Sequence, residues 1–432
     1  MKITSLTALQ VLDSRGNPTV EADLTLEGGA TGRALVPAGA STGEKEAVEL
    51  RDNDPMRYGG KGVLHAVVNV EGEIAKALLG QDLADQADLD HRLIALDGTP
   101  NKSRLGANAI LAVSMAYARA LAAANGKPLY RQLTDQTSYV LPVPCLNVLN
   151  GGRHADNNVD FQEFMIASHN APSFSESIRM SVETFHALKA LLKQKGYYTG
   201  VGDEGGFAPN LKSNEEAVEL LLEAIGHAGF RPGHDISLCL DPAASELYEA
   251  GEAGQPGRYR LFKSTGQCYT SEQFNELWVS WVNQYPIVLL EDGMGENDWP
   301  GWQLHTKSLG SKIELVGDDI FCTNPAILQA GIDQHIANSV LIKLNQIGTV
   351  TETLDTVHLA QRNHYNQFVS HRSGETEDTF VADLTVAIGA GHLKTGSGSR
   401  SERIAKFNQL LRIERELGSA GHFAGIKAFK NQ

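Results

Sequence analysis

Three stretches in the second half of the 432-residue chain set what it can fold into: Ile287 to Asp292 (IVLLED), Ile313 to Asp319 (IELVGDD) and Ser339 to Asn345 (SVLIKLN). Each is a short apolar run rich in β-branched residues and ending in a carboxylate or a lysine. They recur roughly every 25 to 30 residues, the spacing of strands separated by helices. Ser237 to Asp241 (SLCLD) precedes them, and Phe368 to Arg372 (FVSHR) and His392 to Thr395 (HLKT) follow. Parallel strands buried on both faces are apolar along their length, so charges at their carboxyl ends mark the rim where a barrel or open α/β sheet keeps its chemistry. Collected at one rim, Asp241, Glu291, Asp318, Lys343, His371 and Lys394 form a pocket of three carboxylates facing two lysines and a histidine. Charged strand ends that merely meet solvent are the ordinary alternative for any one of them. Six in succession argue against it.

The pocket bears on what the chain can bind. A net charge of −15 disfavours nucleic acid and anionic membranes, so an anionic substrate needs a local cationic or metal site. An apolar share of 42% with 43 glycines fits an α/β protein with many tight turns. Cys145, Cys239, Cys268 and Cys322 lie far apart without CxxC spacing and read as small buried hydrophobes of a reducing compartment. No signal peptide and no run of 18 consecutive apolar residues is visible, which makes the cytoplasm the expected location.

The first third has a different rhythm. Ile3 to Leu12 and Thr19 to Leu26 alternate apolar and polar residues around the turn-forming DSRGNP, with Arg33 to Val36 as a third strand. Gly39 to Ala47 (GASTGEKEA) reads as a mobile loop. Val63 to Leu79 and the alanine-rich Gly106 to Asn125 carry helical periodicity. This gives an N-terminal α+β domain over 1–138, closed by the LPVP punctuation at Leu141 to Pro144, and a barrel over 139–432. The barrel opens irregularly. Two strands, Cys145 to Gly152 and Phe161 to Ala167, are followed by two helices, Ser177 to Lys195 and Asn214 to Gly229, before βα alternation begins.

Three carboxylates from successive strand ends suit a hard divalent cation with oxygen ligands, Mg²⁺ rather than zinc, for which histidine or cysteine spacing is absent. Because adjacent strand residues point to opposite faces, one of Glu291 and Asp292, and one of Asp318 and Asp319, is expected to be structural. Lys343, buried beside cations, is a candidate base, since desolvation and neighbouring positive charge favour its neutral form. Charge balance for the acids is the alternative, and a Schiff-base lysine a third, weakened by an acid cluster that such chemistry does not need. Glu204, between glycines in GDEGG, is a candidate general acid. Gln162 and Glu163 in FQEF and His154 in GGRHADNN add polar groups, His154 being equally readable as a hydrogen-bonding residue. Arg372 and Ser373 in SHRSGE suit an anion such as phosphate.

The strings DSRGNPTVE, GASTGEKEA, LDGTPNKSRLGANAILAVS, GDEGGFAPN, LIKLNQIGTVTETL, SHRSGETED and SERIAKFNQLLRIE, in order from Ile3 to about Leu417, resemble the enolases, the 2-phosphoglycerate hydratases of glycolysis. The resemblance implies an α+β domain followed by a ββαα(βα)₆ TIM-like barrel, usually a homodimer, with higher oligomers open. It implies Lys343 taking the proton from carbon 2 of 2-phosphoglycerate, Glu204 protonating the departing hydroxyl on the way to phosphoenolpyruvate, and Glu163 assisting. It implies two Mg²⁺, one on Asp241, Glu291 and Asp318, the other with Ser41 and the substrate phosphate. His154, Gln162, His371, Lys394, Arg372 and Ser373 would line or grip the substrate. Pro242, Arg153, Gly295, Asn297 and Gly398 depart from the family pattern beside these residues. They leave room for a paralogue dehydrating a related phosphonate or phospho-hydroxyacid, for which Arg153 would supply extra positive charge near His154. A non-catalytic scaffold is the reading from another class, and the presence of Lys343, Glu204 and all three acids speaks against it.

Overall fold

The computed structural model describes residues 1–40, 43–251 and 257–432. Strands β1 (Ile3–Leu12), β2 (Pro18–Leu26) and β3 (Thr31–Leu35) form an antiparallel meander in that order. The first turn closes because the Asp13 carboxylate accepts the backbone N–H groups of Arg15 and Asn17, both at 2.8 Å. Helices α1 (Leu64–Asn69) and α2 (Ala75–Leu78) flank a π-helical turn at Val70–Ile74, so the expected single helix is continuous but locally widened. α3 (Gln86–Asp97) was not anticipated. Its inward face carries Asp90 and Asp97 as well as Leu89 and Leu93, which blunts the apolar period, and Asp90 accepts from Thr351 Oγ1 at 2.6 Å.

α4 (Ala107–Ala124) lies against β2 and β3. The approach is so close that a Cβ on Gly32 would stand 2.0 Å from the Ala116 carbonyl oxygen, which explains a glycine facing an alanine ridge. α4 is also the one helix among the described residues long and apolar enough to cross a membrane, with 83% of it buried inside the protein. Its apolarity is spent on the core.

After α5 (Leu129–Gln132) and β4 (Tyr139–Leu141) come the first barrel strands, β5 (Val143–Asn150) and β6 (Glu163–Ser168), then helices α6 (Phe174–Gln194) and α7 (Asn214–His227), then β7 (Ile236–Asp241). A small sheet of β8 (Tyr248–Glu249), β9 (Arg258–Arg260) and β10 (Cys268–Tyr269) leads into α8 (Ser271–Gln284). Strands then alternate with helices: β11 (Ile287–Glu291), α9 (Trp299–Leu309), β12 (Glu314–Gly317), α10 (Pro325–Asp333), β13 (Ser339–Ile342), α11 (Leu344–Ile347), α12 (Val350–Arg362), β14 (Asn366–Ser370), α13 (Phe380–Ile388), β15 (His392–Lys394) and α14 (Ser401–Leu417). β16 (Gly421–Phe423) pairs with β4.

The barrel closes in the order β11-β12-β13-β14-β15-β5-β6-β7. β6 alone runs antiparallel to both neighbours, which makes the arrangement the expected ββαα(βα)₆. The helices start where short polar side chains cap them: Ser173 accepts from Glu176 N–H, Ser213 from Glu216 N–H and Thr349 from Glu352 N–H, and Thr270 with Gln273 forms a capping box. The interior is filled by Val143, Cys145, Met165, Cys239, Leu289, Val316, Leu341 and Phe368, with Phe429 near the chain's end packed onto the same cluster. Cys145, Cys239 and Cys322 are buried, as expected, whereas Cys268 on the short edge strand β10 is exposed.

Candidate active site

Strand direction explains how the polar residues meet. Asp241, Glu291 and Lys394 are the last residues of β7, β11 and β15. Asp318, Lys343 and His371 follow β12, β13 and β14 by one residue. Glu163 is the first residue of β6, and because that strand is reversed its start lies at the rim where the others end, directly across from Asp241. Glu204 comes from the glycine-rich loop between α6 and α7. A Cβ on Gly206 would lie 2.5 Å from Asn147 O, so the loop is pressed onto β5, where Asn147 Nδ2 donates to Glu204 Oε2 at 2.9 Å.

One small cavity at this rim, with about 20 Å³ of room, is lined by His154, Gln162, Glu163, Glu204, Asp241, Asp318, Lys343, His371, Arg372, Ser373 and Lys394. Glu291 lies just beneath, fully buried and bonded to Lys394 at 2.8 Å. Ser41 lies outside the described residues.

Lys394 Nζ bridges Glu163 (3.1 Å), Asp241 (3.3 Å) and Glu291 (2.8 Å). Burial alone would depress this lysine, but the three acids raise its pKa well above the usual lysine range. Lys343 Nζ stands 2.5 Å from Asp318 Oδ2. Its direction is also upward, against the expectation drawn from neighbouring cations. Burial, the largest single influence, and Arg372 and Lys394 push it down, but the acids, Asp318 first and Glu291 after it, leave the net direction upward. His154 Nδ1 sits 3.6 Å from Glu204 and 3.8 Å from Glu163. Burial raises Glu163 well above the carboxylate range, with Glu204 adding to it. Glu204 goes the opposite way: burial pushes it up, but His371, His154 and the Arg403 guanidinium together bring it well below the carboxylate range. His371 is pushed down to about 4 by burial despite Glu204, and is neutral at pH 7.

Of Glu291 and Asp292, Asp292 is the structural one, though strand alternation is not the cause. Asp292 follows the end of β11 with φ +40°, and Asp318 and Asp319 follow the end of β12, so alternation no longer governs them. Ligand atoms of Asp292, Asp318 and Asp319 all come within 4.8 Å of one another, as do those of His154, Glu163 and Glu204. Asp292 spends its oxygens on the backbone N–H groups of Asp318 (2.9 Å) and Asp319 (3.0 Å), so it shapes the turn that presents them. Burial first, then mutual repulsion, drives Glu291, Asp292 and Asp319 well above the carboxylate range. Asp241, Glu291 and Asp318 offer buried oxygen donors at this rim, a set that fits a hard divalent cation, whose charge would also relieve the burial and repulsion felt by Glu291 and Asp319.

Arg372 makes a fork onto Glu46, at 3.0 and 3.2 Å, and donates to Asn345 Oδ1 at 3.0 Å. Ser373 Oγ accepts from Arg15 at 3.5 Å. Glu46, Asn147, Gln346 and Arg403 were missed in the sequence. Gln346 Nε2 links Glu46 (3.2 Å) to Asp318 Oδ1 (2.8 Å), and nothing in its apolar surroundings signals that role. Arg153 is 56% exposed and paired with Glu246 at 2.9 Å, and it does not line the cavity. Asp241 is extended within β7, the conformation Pro242 favours in the residue before it, and its Oδ1 accepts from Ala243 N–H at 2.8 Å.

Comparison with known proteins gives the same picture along the whole chain. The family described as "Enolase, N-terminal domain" matches residues 3–133, and "Enolase, C-terminal TIM barrel domain" matches residues 138–432. A curated relative, "Enolase 1" of Chlorobaculum tepidum, is 64% identical over 431 residues, covering 100% of both chains.

Proposed function

The chain belongs to the enolase family and is a hydro-lyase that interconverts 2-phosphoglycerate and phosphoenolpyruvate; from that premise we propose how its own residues divide the reaction. The observation that carries the proposal is that Lys343 and the Glu163–Glu204 pair face one cavity whose wall includes Arg372 and Ser373. Arg372 and Ser373 hold the substrate phosphate, with His154 and Gln162 lining the site and Lys394 and His371 contacting its charged groups. Asp241, Glu291 and Asp318 would hold one Mg²⁺, and Ser41 would contribute to a second. Bound there, the metal supplies Lewis-acid stabilisation of charge developing on the substrate carboxylate.

Lys343 takes the proton from carbon 2. Asp318 and Glu291 hold the lysine charged in this structure, whereas burial, Arg372 and Lys394 favour the neutral amine; with its contact to Asp318 loosened, Lys343 would release its proton to solvent and enter the step as the neutral base. Glu163, whose carboxyl burial raises well above the usual range, holds the proton, and the ionised Glu204 beside it relays that proton to the hydroxyl at carbon 3, which leaves as water. The closed, buried rim excludes bulk water during the step. Family membership also supports a cytoplasmic homodimer, which sedimentation of the purified protein tests.

The chemistry is tested by following phosphoenolpyruvate through its ultraviolet absorbance with 2-phosphoglycerate and Mg²⁺. Lys343→Ala is expected to lower kcat by about 10²–10⁴-fold, the range for a general base. Turnover by Lys343→Ala near the wild-type rate would remove Lys343 from the base role.

A further inference from the structure

Arg403, on α14, has no exposed surface, and its guanidinium is aimed at the backs of two loops that carry the site. Nη1 donates to Arg372 O at 2.5 Å, and Nη2 donates to Ser373 O at 2.6 Å and Asp203 O at 3.1 Å. One side chain thus ties the loop bearing Glu204 to the loop bearing His371, Arg372 and Ser373. Space is reserved for it. A Cβ on Gly396 would lie 2.6 Å from Arg403 Cδ, at a residue whose φ of +81° already favours glycine.

Nη1 also lies 2.5 Å from His371 Nδ1. A guanidinium has donors only, so Nδ1 must present its lone pair. An imidazolium would place two donors face to face and is excluded by the same contact. The single imidazole proton therefore sits on Nε2, which stands 3.2 Å from Glu204 Oε2. The opposite tautomer would set a lone pair against a carboxylate.

Resting on the acid role of Glu204 proposed above, we propose that Arg403 is a positioning residue that fixes the Nε2–H tautomer of His371 and thereby aims Glu204 at the leaving hydroxyl. It touches neither substrate nor reacting atoms. Its loss impairs carbon–oxygen cleavage while leaving proton removal at carbon 2 to Lys343, which lies on a different strand. The second readout follows from that separation: exchange of the carbon-2 proton with deuterated solvent reports Lys343 alone, whereas phosphoenolpyruvate formation reports both ends.

The wild-type protein, labelled with ¹⁵N-histidine and with the His371 signals assigned by their loss in His371→Gln, is expected to show the Nε2–H tautomer at pH 7.5. An Nδ1–H tautomer or an imidazolium there overturns the proposal without any variant of Arg403. Arg403→Lys, which keeps the charge but loses the fork, is expected to lower kcat by about 10–100-fold, the range for residues that orient a functional group from behind. KM should stay within about twofold by the same reasoning that ground-state binding is untouched. Exchange at carbon 2 is expected to continue, so the ratio of exchange to dehydration rises. Parallel loss of exchange and dehydration in a folded Arg403→Lys protein refutes the positioning role and indicates a general structural one. A failure of the underlying acid assignment is distinguishable, because Glu204→Gln would then dehydrate as fast as wild type whatever the tautomer of His371.

Discussion

Replacing Asp383 with asparagine should stabilise this protein, and the size of the effect follows from where the carboxyl group lies. Asp383 is on α13 with only 4% of its surface exposed, and Gln409 Nε2 donates to it at 3.1 Å. Burial raises its pKa to about 6 from the ordinary 3.8, with the nearby Arg119 offsetting only part of the shift. Arg119 itself is committed to Asp378, at 2.7 and 2.8 Å. Between about pH 4 and pH 6 the folded protein therefore binds the proton more tightly than the unfolded chain, and this group's contribution to stability falls as pH rises. Above pH 6 the full cost is present, about 3 kcal/mol. Asparagine has a similar shape, keeps the acceptor for Gln409 and does not ionise. Asp383→Asn should gain about 1–3 kcal/mol at pH 7.5 once the lost attraction to Arg119 is deducted, and little at pH 4.5. Urea unfolding at the two pH values measures this directly. A variant less stable than wild type at pH 7.5, with an unchanged pH dependence, would mean that the Arg119 attraction outweighs burial and would refute the reasoning.

Three other perturbations have defined outcomes. Gly32→Ala drives a methyl group into the Ala116 carbonyl and should cost at least about 1–3 kcal/mol, seen as a lower unfolding midpoint of the N-terminal domain. Arg153→Ser removes an exposed side chain paired only with Glu246 and should leave kcat/KM for 2-phosphoglycerate unchanged, whereas a loss above threefold would return Arg153 to the site. Arg372→Lys loses the planar fork and should raise KM by at least about tenfold, with carbon-2 exchange at saturating substrate largely preserved.

The barrel was legible because its chemistry sits at strand ends: Asp241, Glu291, Asp318, Lys343, His371 and Lys394 each close an apolar run, and the fold gathers all six. The irregular opening was legible too, from two strand-like segments with no helical pattern between them. Residues that act from behind left no such trace. Arg403 lies within a helical run whose periodicity explains it as well as any function would, and Gln346 sits in a single helical turn too short to show any pattern. Strand alternation was the wrong reason for setting one acid of each pair apart, because the rule stops applying once the strand ends and a sequence does not mark that point to the residue; Asp292 is structural through its bonds to the Asp318 and Asp319 N–H groups instead. α3 was hidden because it buries aspartates bonded to distant partners, and the sequence cannot show that Thr351 will be there to receive one of them. The upward direction of Lys343 depends on a 2.5 Å contact made by a different strand.

The reversal of β6 also has a bearing on where this chain could be cut. In a barrel whose strands all run one way, the loops at the active rim are free-standing connections, and new termini placed there interrupt little else. Here residues 151–162 join β5 to β6 across that rim, ending at Gln162 and Glu163 and carrying His154 on the way. A circular permutation opened in this loop would separate His154 from Glu163 along the chain and release the segment that seats both. The turn that follows β6 lies at the opposite end, and its exposed Asn170, just past the buried His169, is the safer place to open new termini.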